Sequence, residues 1–362
     1  MVDRKGLKNR GRSRADVDDR RKAVSDLTET KLEAIGDYSF DPEMASKNIE
    51  NMIGVTQVPL GFAGPVVIRG DYAGGPFLVP MATTEGALVA SVSRGMSVIS
   101  ESGGARTKVL SDAMTRAPVF RTEGIDHSVK VVNWICENSE TIDDAVSATT
   151  KHGKLLTIEP FPNGRNLFLR FSYDTGDAMG MNMATIATEA VCRLIEKETG
   201  AVMVSVSGNM CTDKKPAAIN AINGRGKVVL AEAIIPGALV ESKLHTTAAS
   251  ITETNIRKNL IGSAMAGSMG FNAHAANMAA AVYIATGQDP AHVVEASLCM
   301  TVGGGTRLPA QSEALEIMGC KGDGKARKFA EIVAATVLAG ELSTLAAQAA
   351  GQLGSAHKDL GR

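Results

Sequence analysis

The sequence predicts an α+β protein with a small helical N-terminal region, a large mixed α/β domain, and a compact unit inserted into that domain. Three observations lead there. At 362 residues the chain is long enough for two cores, or for one core carrying a large insertion. Between about Ala117 and Ser205 the pattern changes to a strand at Val119-Phe120-Arg121, an amphipathic helix around Val129 to Cys136, and strands at Leu155 to Pro160 and Asn166 to Ser172. A helix from Ala178 to Glu198 and a buried strand at Val202 to Val206 complete it. This β-α-β-β-α-β order is the split βαβ pattern of a ferredoxin-like sandwich. On either side, strands punctuated by Gly and Pro alternate with Ala-rich helices. The expected boundaries are 1–52 for the N-terminal region, 53–116 with 207–362 for the large domain, and 117–206 for the insert.

Composition narrows the function. A net charge of -1, with 21% charged and 44% hydrophobic residues, argues against disorder and against general attraction to nucleic acid. Aromatics are 4% with a single Trp134, too few for base-stacking platforms. The five cysteines show no paired CxxC spacing, so neither a metal site nor a disulfide framework is indicated, and a reducing compartment fits. No apolar run reaches the ~20 residues of a membrane span, and no signal-peptide core is present, so the expectation is a cytoplasmic protein without a membrane partner. The basic and acidic residues before residue 25 read as a surface arm, ahead of nucleic-acid contact.

Along the chain, Thr28 to Ile35 suits a short helix, and Val58 to Pro65 suits tight turns before a strand. A strand from Phe77 turns at Met81-Ala82-Thr83-Thr84-Glu85-Gly86 into a helix ending near Ile99. Glu85 is expected to open that helix, where a carboxylate meets the positive end of the dipole, while Arg94 faces the other way along it. Asp177-Ala178-Met179-Gly180-Met181-Asn182-Met183 puts small residues at a helix start, which admits a pyrophosphate near the backbone or simply packs Met and Ala onto a sheet. No G-x-G-x-x-G fingerprint occurs, and the run from Gly319 to Ala326 lacks the Ser or Thr of a P-loop.

The densest chemistry lies in Ser207-Gly208-Asn209-Met210-Cys211-Thr212-Asp213-Lys214-Lys215-Pro216, between the strand at Val202 and a helix expected from Pro216 to Ile222. Two cations, a carboxylate and an amide beside a helix N-terminus can hold an anion or a developing oxyanion; a solvated loop with surface salt bridges is the alternative. Further on, small residues fill 262–277, implying close packing against a helix, a subunit or a ligand. His274 and Asn277 share one face of the helix running to Ile284, with Asp289 just beyond it. A glycine turn at Gly303-Gly304-Gly305-Thr306, Ala/Leu helices over 326–350 and a lone His357 in a glycine-flanked tail complete the chain.

From about residue 30 onward these motifs, in this order, resemble the hydroxymethylglutaryl-CoA reductase family, and the Asp-Ala-Met-Gly-Met-Asn form is similar to its class I archaeal members. The resemblance implies a four-electron, NADPH-dependent reduction of (S)-3-hydroxy-3-methylglutaryl-CoA to (R)-mevalonate and CoA, through a thiohemiacetal and an aldehyde, with no metal. It implies that Lys214 stabilises the oxyanion, that Glu85 supplies the proton, that Asp289 tunes both, and that His357 protonates the departing thiolate. Burial of Glu85 beside Lys214 and Asp289 would couple the three titrations. By the same resemblance Arg94, Arg116, Ser207, Asn209, Asp213, Lys215, Lys258, His274 and Asn277 bind substrate. Lys151, Asp177, Met179, Gly180, Met181, Asn182, Gly303, Gly304, Gly305 and Thr306 bind the cofactor. The family's site forms between subunits, with Glu50-Asn51 at the seam, so a homodimer or dimer of dimers is implied.

One departure stands out. Relatives carry a strand-bearing stretch between the Ser297-Leu298-Cys299 region and the glycine turn, whereas here Met300 runs directly into Thr301. The sequence therefore leaves two alternatives: a catalytically impaired relative retained for assembly or binding, and a reductase of this fold acting on another acyl-CoA, for which the cationic acid-binding set argues for a carboxylated acyl group.

Overall fold

The computed structural model describes residues 11–299 and 309–351. Helix α1 (Arg14–Thr28) begins where Ser13 and Asp16 cap each other reciprocally. Through Val17 it packs with Tyr38, Ala45 and Met52 into a small core of its own, and the buried Arg20 donates Nε to the Met52 carbonyl at 2.8 Å.

The antiparallel pair β1 (Leu60–Arg69) and β2 (Gly74–Ala82) comes next. Helix α2 (Leu88–Glu101) starts later than expected, because Ala87 takes a left-handed backbone (φ 68°) and breaks the turn. Glu85 therefore precedes the helix and is no first-turn charge; it is exposed. Strand β3 (Ala105–Arg116) ties the molecule together, running parallel to the end of β1 at Ala105 and antiparallel to a later strand at Met114 to Arg116.

Beyond β3 the chain forms β4 (Val119–Arg121), α3 (Ile125–Glu137), α4 (Ser139–Ser147), β5 (Lys154–Asn163), β6 (Asn166–Asp174), α5 (Met181–Thr199) and β7 (Val202–Ser205). Helix α4 is additional to the expected elements: Asn138 interrupts the helical run after α3, and Ile142 and Val146, four apart, bury one face of α4. Strand β7 is not buried as expected, since Val202 and Val204 are exposed at a sheet edge. Phe120, Val131, Leu167, Leu169, Phe171, Tyr173, Val191 and Ile195 form a core separate from that of the flanking chain.

A short helix over Ala218–Asn223, starting after Pro216, leads into β8 (Gly226–Glu232), which pairs with the middle of β3. Among the described residues all strands belong to one mixed sheet in the order β2-β1-β3-β6-β4-β7, with β5 on β6 and β8 on β3. Helices α6 (Ala275–Thr286) and α7 (Ala326–Ala349) cover the β1-β2-β3 side together with α2, around Ile68, Val79, Met96, Val282, Tyr283, Phe329 and Ile332. Gly95 lets α2 touch α7, because a Cβ there would sit 1.9 Å from the Ala339 carbonyl oxygen.

Helix α7 corrects one sequence expectation: its 24 residues, with mean hydropathy 1.5 over the best window, are long and apolar enough to cross a membrane. Its setting is that of a core helix. That window is 67% buried, and Glu331 within it has no exposure and accepts backbone N–H groups of Asp71 and Tyr72 at 3.1 and 3.0 Å. Within one chain the small-residue stretch stays largely open: Met265 is 85% exposed and Gly267 faces open space, while Gly270 lies against the Ser297 backbone and a Cβ at Gly262 would meet the Arg257 carbonyl at 3.4 Å.

Candidate active site

The loop from Ser207 to Pro216 leaves β7 and returns through the Ala218 helix to β8, so its two ends are anchored in one sheet. Its backbone is unusual. Asn209, Thr212 and Lys214 all adopt left-handed φ values of 66°, 50° and 56°. Asn tolerates that region, but for a β-branched Thr and a Lys it costs roughly 1–2 kcal/mol each, which the surroundings must offset. They do so with several fixed hydrogen bonds. Gly208 N–H donates to the Ala117 carbonyl at 2.6 Å, Thr115 Oγ1 and Arg225 Nε donate to the Cys211 carbonyl at 3.2 and 3.0 Å, and Thr212 Oγ1 bonds the buried Asn220.

This conformation aims Lys214 at Asp289, with Nζ 2.8 Å from Oδ2. The hydrogen bond it donates to Asp289 raises the lysine above its ordinary value, with Asp213 and Glu295 adding to the effect, so the side chain is firmly an ammonium. Burial pushes Asp289 up, but the Lys214 hydrogen bond and the Ala291 amide outweigh it, leaving the carboxyl below its ordinary value. Both side chains remain partly open, at 45% and 35%, so a ligand can reach the pair.

Beneath lies a buried ionic cluster that sequence reasoning missed. Arg225 Nη2 donates to Asp213 Oδ1 at 2.6 Å and Nη1 lies 3.8 Å from Glu295 Oε1. The Asp213 carboxyl is held down to about 2 by His292, with Nε2 at 3.7 Å, and by Arg225; at 2.6 Å the guanidinium makes the direct hydrogen bond. Asp213, His292 and Glu295 bring ligand-type atoms within 4.8 Å of one another. The cation among them is the Arg225 guanidinium, and a metal ion placed about 4 Å from it would be repelled by several kcal/mol even at an effective dielectric constant of about 20. A signal was available: Asp289, His292 and Glu295 are spaced by three, which puts them on one face of the helical segment after α6.

A second cluster forms around Glu85. Asn277 Nδ2 lies 3.3 Å from Glu85 Oε1 and 3.2 Å from His274 Nδ1, while His274 Nε2 lies 2.6 Å from Thr344 Oγ1 and 3.4 Å from the Gly340 carbonyl. The carbonyl at Nε2 and the amide N–H at Nδ1 assign the proton to Nε2, leaving Nδ1 the acceptor. Glu341 accepts the Ala273 and His274 amides at 2.6 and 2.8 Å and fixes the start of α6. Glu85, Arg94, His274, Asn277, Thr344 and Gln348 line a cavity of about 400 Å³. Arg94 thus shares the Glu85 side, contrary to expectation, and donates Nε to Ser343 Oγ at 3.0 Å.

The two clusters do not meet within one chain. Asn277 stands near the start of α6 and Asp289 beyond its end, with about 14 Å of helix between Asn277 and Thr286 at 1.5 Å per residue. Among the described residues no hydrogen bond or ion pair joins Glu85 to Lys214 or Asp289, and the exposed Glu85 is not buried beside them as the sequence reading expected.

The family model described as hydroxymethylglutaryl-coenzyme A reductase matches residues 16–302 and 299–362. The chain belongs to that family. The reductase of Methanocaldococcus jannaschii is 53% identical over 372 positions, covering 95% of this chain and 92% of the relative. That of Pyrococcus horikoshii is 52% identical, covering 97% and 93%. Among solved structures, the class II reductase of Streptococcus pneumoniae bound to NADPH superposes with a TM-score of 0.68 at 17% identity, covering 96% of this chain and 100% of that one, a likeness of fold. The two matched segments meet where Met300 runs into Thr301, the site of the departure noted in the sequence.

The remaining residues assigned by resemblance to this reductase family are spread over several elements. Arg116 donates Nε and Nη2 to Thr185 Oγ1 at 3.0 and 2.6 Å, and Ser207 Oγ lies 3.5 Å from Cys211 Sγ. Lys215 is exposed, with Nζ 3.1 Å from the Asp213 carbonyl, and Lys258 Nζ donates to Asn259 Oδ1 at 3.2 Å within the π-helical turn Asn255–Gly262. Asp177 is occupied within the chain, capping the start of α7 through the Gly324 and Ala326 amides. Gly180 supplies the left-handed turn (φ 69°) that starts α5, where a Cβ would strike Thr175, while Met179 and Met181 pack with Met114. Asn182 and Lys151 are exposed. Gly303, Gly304, Gly305, Thr306 and His357 lie outside the described residues.

Proposed function

We propose that this member of the reductase family converts (S)-3-hydroxy-3-methylglutaryl-CoA to (R)-mevalonate and CoA, through mevaldyl-CoA and mevaldehyde, at a site completed between two copies of the chain. The observation that carries the reading is the Lys214–Asp289 pair, held open to solvent on a strained turn. A lysine kept protonated by Asp289 presents a fixed positive charge to a carbonyl oxygen as it becomes an oxyanion, and costs no reorganisation at that moment. Glu85, oriented by Asn277, supplies the proton to that oxygen. Because α6 separates Glu85 from Lys214 in one chain, the Lys214 half of one copy faces the Glu85 half of another. Exposed Leu260, Ile261, Met265 and Phe271 suit burial at such a contact.

NADPH, when bound, supplies the hydride. The residues fit it, since the nineteen-residue α5 has no side-chain cap at its N-terminus, leaving backbone N–H groups for a pyrophosphate, with Asn182 and Lys151 exposed. Residues 117–206 read as an inserted ferredoxin-like unit carrying that cofactor. Support comes from the antiparallel order β7-β4-β6-β5 with its own core. Five unpaired cysteines suit a cytoplasmic setting. The impaired-relative alternative gains no support from the named reductases that cover nearly the whole chain. The test is absorbance at the nicotinamide band with hydroxymethylglutaryl-CoA. Two NADPH oxidised per thioester, lost in Lys214→Ala, is the expected result; no oxidation by folded protein would refute the reading.

A further inference from the structure

The chemistry above leaves unused three residues that converge under the turn carrying Lys214. Glu295 and Arg225 are fully buried and His292 is 3% exposed. Glu295 Oε1 accepts the Lys214 backbone N–H at 2.7 Å, and Arg225 holds the Cys211 carbonyl and the Asp213 carboxylate. One buried carboxylate and one buried cation thus grip the turn at three points. The gripped Lys214 is in the left-handed region, and released to negative φ it would carry its side chain off Asp289. Glu295 lies six residues after Asp289 in the same helical run. A single short segment therefore supplies both the partner of the ammonium and the acceptor that fixes its backbone.

We propose that Glu295, braced by Arg225, is a positioning residue: it holds the Lys214 backbone so that the ammonium meets Asp289, and it acts on turnover rather than on substrate binding. The inference rests on reading Lys214 as the catalytic cation. An imperfectly satisfied buried ion pair is a weak source of stability, and Glu295 Oε2 and Arg225 Nη1 have no hydrogen-bond partner among the described residues, which suits a geometric role.

Three variants of the full chain separate the possibilities. Glu295→Gln keeps an acceptor oxygen at the same reach without the charge; Glu295→Asp keeps the charge but withdraws the acceptor by one methylene; Glu295→Ala removes both. Positioning requires kcat of the Gln variant within about threefold of wild type, and that of the Asp and Ala variants down by about tenfold or more, with KM for the thioester unchanged. A second readout needs no activity: labelling of Lys214 by an amine-acylating reagent, measured by mass spectrometry, rises in the Asp and Ala variants and not in the Gln variant. Activity that follows charge (Asp retained, Gln lost), or wild-type kcat in Glu295→Ala, overturns the proposal. So does labelling that is unchanged across the series. If wild type fails to reduce the thioester while the labelling order holds, the functional reading fails and the positioning stands.

Discussion

Replacing Asp213 by Asn tests whether the ionic cluster beneath the Lys214 turn stabilises the protein as its geometry indicates. The carboxyl is only 27% exposed and is drawn from 3.8 to about 2 by His292 and Arg225. At about 1.4 kcal/mol per pH unit, this corresponds to about 2 kcal/mol of stability. The sign comes from the direction: a folded-state value below the unfolded one gives stabilisation that is complete above about pH 4 and disappears as pH falls through about 2. Asp213→Asn is therefore expected to unfold about 2 kcal/mol more easily at pH 7, a fall of about 2–3 °C in Tm for a chain of this length. The gap should close as acid protonates Asp213 in the wild type. Thermal unfolding of both proteins across pH 7 to 2, at equal protein concentration, reads it directly, since every other carboxyl titrates in both. A gap that persists unchanged to pH 2, or none at pH 7, would refute the reasoning.

Two further outcomes concern packing. Gly95→Ala should destabilise by at least about 1–3 kcal/mol in denaturant unfolding, because the new Cβ meets the Ala339 backbone, which cannot retreat as a flexible side chain could. Glu331→Gln should lose about 2–4 kcal/mol, since its NH2 end cannot accept the Tyr72 and Ala73 amides that share Oε2, and the β1–β2 turn is left with buried donors unpaired.

Periodicity and turn chemistry made the order of elements readable over residues 117–206, apart from α4, but gave no sign of β3 or β8, and the Ser207 to Pro216 run announced its own chemistry through residue type. The residues that sequence reading misplaced have physical causes in common. Ala87 carries no sign that it will adopt φ 68°, so the sequence pattern places Glu85 in the first turn of a helix it only precedes. Val202 and Val204 look like core residues, but their strand ends a sheet. Arg225, a charged residue between two glycines, reads as loop, and only the fold shows it sealed beneath Cys211 and Asp213. Conversely, the spacing of Asp289, His292 and Glu295 is visible in the sequence, but their common target lies seventy or more residues away.

The central claim, a site made of two halves from different copies, is tested most directly by subunit complementation. Lys214→Ala and Glu85→Gln chains, each inactive alone, are co-expressed and assayed for NADPH oxidation with hydroxymethylglutaryl-CoA. If the halves come from different copies, each mixed dimer holds one site with both Lys214 and Glu85 intact, and random pairing should restore about a quarter of wild-type activity. Activity no greater than that of either variant alone would place both residues in one chain's site and contradict the account.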